Sequence, residues 1–108
     1  MRSRRRTSRR AITSIHRTTY AVELNSVDTV VRDGLVASLL RFDVPAAEQL
    51  VFESGDPGAV IRLYEATEGS LEPALCAAVE RTTSRTVLAF QSSMSPQHGV
   101  ILEAFVLA

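Results

Sequence analysis

Two long apolar runs joined by a Pro/Gly turn close this chain, and they constrain its fold more than any other feature. Residues Thr86 to Ser92 and Ile101 to Leu107 flank the cluster Ser95-Pro96-Gln97-His98-Gly99. β-Branched and aromatic residues on either side of such a turn signal an antiparallel strand pair. The stretch from Val79 to Phe90 runs from a helix end straight into the first of these strands. A chain that ends this way needs a sheet with a helix laid against it.

The upstream sequence supplies the rest of that sheet. Val27 to Val31 is short and β-branched, Asp33-Gly34 is a hairpin turn signal, and Leu35 to Phe42 is a second apolar run, so a first β-hairpin is predicted there. Val36, Leu40 and Phe42 share one face of its second strand, while Leu35, Ala37, Leu39 and Arg41 share the other. A strand apolar on both faces belongs at the centre of a sheet or in an interface.

Helices fill the remaining intervals. Ile12, Ile15, Thr19 and Val22, with His16 and Tyr20 one step round, recur at helical spacing and predict a first helix of about three turns from Ala11. Asp43 caps a helix opened by Pro45, carrying Ala46, Ala47, Leu50, Val51 and Phe52 and stopping before Gly55. Asp56-Pro57 repeats that start signal, and Val60, Ile61, Tyr64, Leu71, Leu75, Cys76 and Val79 line one face of a long helix reaching about Arg81. Pro73 lies inside it, so a kink or a fresh start at Ser70 is expected. The order α-β-β-α-α-β-β predicts an α+β fold, a mainly antiparallel four-stranded sheet with helices packed on one face.

A net charge of zero hides a strong asymmetry. Arg2, Arg4, Arg5, Arg6, Arg9 and Arg10 stand in the first ten residues with no acid, whereas all twelve Asp and Glu residues lie later, among six further Arg. Residues 1–10 hold no apolar side chain after Met1 and are predicted to be a disordered Arg-rich arm, with residues 11–108 a single domain. The six guanidinium groups are candidate polyanion-binding residues, for nucleic acid or anionic membrane, and without interleaved aromatics their binding should be unspecific. Cys76 is the only cysteine, so no intrachain disulfide forms and a reducing, cytoplasmic setting is expected, with peripheral membrane contact through the arm. No apolar run approaches the roughly 20 residues needed to span a bilayer.

The chain offers little reaction chemistry. His16 and His98 are the only histidines, and neither has a Cys or acid at a metal-ligand spacing along the chain. Ser92-Ser93 near His98 is the one nucleophile-and-base candidate, without an orienting acid beside it. Glu65, Glu68 and Glu72 fall at helical spacing, which a solvated helix face explains. The glycines are scattered, so no phosphate loop is expected. These readings predict a non-enzymatic protein with no cofactor and no metal.

The residues do resemble one family, the small bacterial MpsC-like domains named for a sodium-translocating, membrane-potential-generating system. The similarity lies at Ile12, Ile15-His16, Pro45 to Glu48, Val79-Glu80, Thr83, Arg85, Val87, Ala89-Phe90, Ser92, Glu103 and Phe105-Val106-Leu107. The chain departs from the family where members carry Gly-x-Gly-Pro and His-x-Asp-Pro-Asp turns: it reads Ala21-Val22-Glu23-Leu24 and Ser95-Pro96-Gln97-His98-Gly99. The resemblance implies an interaction or regulatory module accessory to a membrane transport or bioenergetic system, with a protein partner there. His16, Arg85 and His98 are its candidate functional residues, and the two-faced strand adds the expectation of a homodimer.

Overall fold

Asp33-Gly34 makes the tight turn its sequence demands, with Gly34 at φ +81°, and two strands grow from it. The computed structural model describes residues 3–20 and 23–108. In it α1 (Arg4–Tyr20) is followed by β1 (Leu24–Arg32), β2 (Leu35–Phe42), α2 (Ala46–Glu53), α3 (Pro57–Thr83), β3 (Val87–Ser95) and β4 (Val100–Leu107). All neighbouring strands pair antiparallel, in the order β1-β2-β4-β3. The fold is α+β, with β2 and β4 central, as the two-faced pattern of β2 requires.

The hairpin ends are stitched together. The Phe42 N–H donates to the Gly99 carbonyl and the Leu107 N–H to the Gly34 carbonyl, both at 2.9 Å. Pro96–His98 forms a single 3-10 turn, ended by Gly99 at φ +64°. A Cβ at Gly99 would run into the Phe42 carbonyl, so only glycine fits this corner.

The helices cover one face of the sheet. Inward positions alternate along the central strands: Val36, Ser38, Leu40 and Phe42 on β2, and Ile101, Glu103, Phe105 and Leu107 on β4, are all buried. Ile12 from α1 and Val60, Tyr64, Leu75 and Val79 from α3 close the core above them.

Four expectations are corrected. From Arg4 onward the predicted disordered arm is helix: Ser8 is fully buried and hydrogen-bonded to Thr82 at 2.8 Å, and Arg9 donates through Nε to the Val27 carbonyl at 2.8 Å. The buried face of α1 is Ser8, Ile12 and His16, one step round from the expected Ile12, Ile15 and Thr19, while Val22 and Arg2 lie outside the described residues. Pro73 does not divide the long helix, because α3 is one helix from Pro57 to Thr83. Pro73 and Gly69 are both exposed, so water can serve the Gly69 carbonyl that a Pro N–H cannot. Asp43 accepts a bond from Asn25 at 2.9 Å, and the N-cap position of α2 falls to Pro45.

Candidate functional site

One row of the sheet breaks the apolar rule. Thr29 pairs with Ser38, Ser38 with Glu103, and Glu103 with Ser92, so a polar line crosses all four strands on the inner face. The Thr29 and Ser38 hydroxyls satisfy each other at 2.8 Å. Glu103, 0% exposed, looks instead to the helices.

His16 of α1 and Glu68 of α3 complete a buried cluster above that row. His16 Nε2 lies 2.8 Å from Glu103 Oε2 and 3.4 Å from Glu68 Oε1, with both other side chains at most 1% exposed. The Ile12 carbonyl, 2.8 Å from Nδ1, has no proton to give, so Nδ1–H donates to it and Nε2 is turned onto the carboxylates. The Tyr20 ring stacks on His16 and on Tyr64, with centroids 5.8 and 5.3 Å away. Its hydroxyl, Glu68 Oε2 and Glu103 Oε1 are buried without a hydrogen-bond partner. Tyr64 donates to Glu48 Oε1 at 2.8 Å, which ties this aromatic stack to α2.

The electrostatics follow from burial and proximity. Burial works against the His16 imidazolium, but the Glu103 and Glu68 carboxylates overcome it and hold its pKa up at about 10. Burial pushes Glu103 up to about 8, against the pull of His16. Glu68 is lowered: its burial penalty is outweighed by His16, helped by Glu103 and Tyr20. Burial, then the nearby Glu68 and Glu103 charges, raises the Tyr20 phenol. Near neutral pH the cluster is thus an imidazolium, one carboxylate and one carboxyl that holds its proton.

The structure disposes of the sequence candidates differently. Arg4, Arg5, Arg6, Arg9 and Arg10 are exposed on α1. His98 is exposed in the turn before β4, and Ser92 and Ser93 point to opposite faces of β3, Ser92 inward beside Glu103. Arg85 reaches the Ala108 carbonyl at 2.7 Å and Asp33 at 3.3 Å, binding the chain's last residue to the first hairpin turn. His16 is the candidate that sits in the cluster. Glu68 corrects the expectation of a solvated carboxylate face: Glu65 and Glu72 are exposed, whereas Glu68 is 1% exposed. The expectation that no acid accompanies a histidine at ligand distance holds along the chain and fails in space.

A signal for the cluster is present in the sequence. His16 follows Ser8 and Ile12 at intervals of four, Glu68 continues Val60 and Tyr64 in the same way, and Glu103 alternates with Ile101 and Phe105. Each ionisable residue occupies a core position of its own element's period.

No protein-family model, no curated protein and no solved structure matches this chain.

Proposed function

We propose that this chain is a non-catalytic interaction module that pairs with a second copy of itself through the uncovered face of its sheet. The observation that carries this reading is the outer face of the two central strands. Leu35, Ala37 and Leu39 on β2 and Leu102, Ala104 and Val106 on β4 point away from the helices, with Val30 of β1 beside them. Leu102 and Val106 are 45% and 46% exposed and Val30 45%. An antiparallel sheet that faces water on one side carries polar residues there, and this one carries a continuous apolar patch, which marks an interaction surface.

A second copy fits the patch. Asp28 with Arg32 and Arg41 lie on the same outward face, at its edge, so a two-fold arrangement can set opposite charges against each other around an apolar centre. Face-to-face sheets pack about 10 Å apart, which suits the Leu and Val side chains presented. The MpsC-like motif residues support a role for the pair as an accessory to a membrane transport or bioenergetic system. No helix among the described residues is long and apolar enough to cross a membrane. Light scattering at micromolar concentration tests the pairing: the reading predicts twice the 11.8 kDa chain mass, and a sharp monomer counts against it.

A second reading has its own observation. Helix α1 has no acid along its seventeen residues, and Arg9, Arg10 and Arg17 flank a shallow depression with Thr13, Ser14 and Thr18. Held by the fold, these guanidinium groups form a fixed polyanion-binding face. Titration of duplex DNA and of anionic vesicles across a salt series tests it, since each phosphate neutralised on DNA adds about −0.9 to the log–log slope. Changing Arg10 and Arg17, both on that face, to Gln should flatten that dependence, and unchanged binding refutes the reading.

A further inference from the structure

We propose that His16, Glu68 and Glu103, with the Tyr20 hydroxyl beside them, form a binding site for one divalent first-row transition-metal ion of the Zn(II) type. Three elements distant in sequence each send one ligating side chain to the same point: α1 an imidazole, α3 and β4 a carboxylate each. Their ligand atoms all lie within 4.8 Å of one another. A tetrahedral ion held at about 2.0–2.1 Å by nitrogen and carboxylate oxygen keeps its ligands roughly 3.3 Å apart. The separations from Nε2, 2.8 and 3.4 Å, bracket that figure, so small rotamer adjustments admit the ion.

Two further features point to a ligand. Glu68 Oε2 and Glu103 Oε1 are buried without any hydrogen-bond partner, on side chains 1% and 0% exposed. Unpaired carboxylate oxygens in a core are costly, and a cation satisfies them. The His16 Nδ1–H donates to the Ile12 carbonyl at 2.8 Å, the outer bond that fixes ring orientation and tautomer in histidines that ligate through Nε2. Binding releases the His16 Nε2 proton and the proton on Glu103, and the two carboxylates and neutral imidazole that remain carry the charge that a dication cancels. One nitrogen with two carboxylate oxygens suits Zn(II), Mn(II) or Fe(II) better than Mg(II), which keeps several waters. The Tyr20 hydroxyl is likewise buried without a hydrogen-bond partner. With all three ligands buried, the ion is enclosed as α1 packs against the sheet, and uptake is coupled to folding.

The test uses the full chain, unfolded in chelator, refolded with Zn(II), Co(II), Mn(II) or Mg(II), dialysed, and assayed for metal by mass spectrometry. The site predicts about one equivalent of Zn(II) or Co(II) per chain, the visible bands of tetrahedral Co(II), a higher melting temperature than the metal-free chain, and no retained Mg(II). Glu103→Gln and His16→Gln should each lose the metal while circular dichroism still reports the folded chain. The Co(II) bands of the unsubstituted chain give a readout that does not depend on how the variants fold. A folded, unsubstituted chain that retains no transition metal and gains no thermal stability overturns the proposal and leaves the cluster to protons alone. Retention that persists in both variants also overturns it.

Discussion

Removing the Glu103 carboxyl leaves the His16 imidazolium buried with one partner, Glu68, at the longer distance of 3.4 Å. Glu103 holds its proton near neutral pH, so Glu103→Ala removes a buried hydrogen-bond partner of a charged group, worth about 1.5–3 kcal/mol, and urea unfolding should show a loss of that size. Replacing His16, Glu68 and Glu103 together by Leu removes every charge at once, and the triple variant should be about as stable as the parent, or more so. If it is as unstable as Glu103→Ala, packing and not charge governs the site. The metal-free cluster also sets a pH dependence. His16 is raised from 6.5 to about 10 and Glu103 from 4.5 to about 8, so both add stability that is complete below their unfolded values and lost as pH rises through the folded ones. Glu68 is shifted the other way, and its contribution is lost as pH falls below the ordinary carboxylate range. With chelator present, denaturant midpoints should be highest near pH 4.5 and fall steadily toward alkaline pH, more steeply above 6.5 where His16 adds its loss, whereas a flat profile contradicts the assigned charges. The sequence holds each of these residues in a core register, yet a polar residue at an apolar position reads as surface unless its partners are known. Those partners lie 52 and 87 residues away from His16, and no local pattern encodes that meeting.

At the scale of elements, strand and hairpin chemistry was legible because turn residues and period-two alternation are local. Leu35–Phe42 has the bounds its apolar run predicts, and Gly99 sits where a left-handed corner needs it. The end of α3 shows a local conflict instead. Ser84 adopts φ 58° and ψ 30°, a left-handed conformation that costs a side-chain-bearing residue about 1–2 kcal/mol. Ser84→Gly should therefore raise stability by about 1 kcal/mol, seen as a shifted chevron or melting midpoint, and a destabilised variant would show that the Ser84 side chain matters more than its backbone. The N-terminal half of α1 was not legible, since an acid-free run of Arg, Ser and Thr satisfies the composition of a disordered arm. Tertiary contacts at Ser8 and Arg9 supply what that composition lacks. Deleting residues 1–10 should lower the melting temperature measurably, as loss of two anchored hydrogen bonds at about 0.5–1.5 kcal/mol each implies, while a free arm would leave it unchanged.

For the whole molecule, the decisive fact is that three helices share one side of a four-stranded sheet. One face of the sheet gains a core with a polar row through it, and the other keeps Val30, Leu39, Leu102 and Val106 at the surface. The doubly apolar β2 announced this in the sequence as a choice between sheet centre and interface. The structure places β2 at the centre and leaves its outer face open, which is the face proposed to pair. The most direct test of the account is sedimentation equilibrium of the full chain beside the Leu102→Glu/Val106→Glu variant, over a range of micromolar concentrations. The account predicts a self-associating parent of twice the chain mass and a folded monomeric variant, because each charge falls at the apolar centre of the paired face. A parent that stays monomeric throughout, or a variant that dimerises as the parent does, contradicts it.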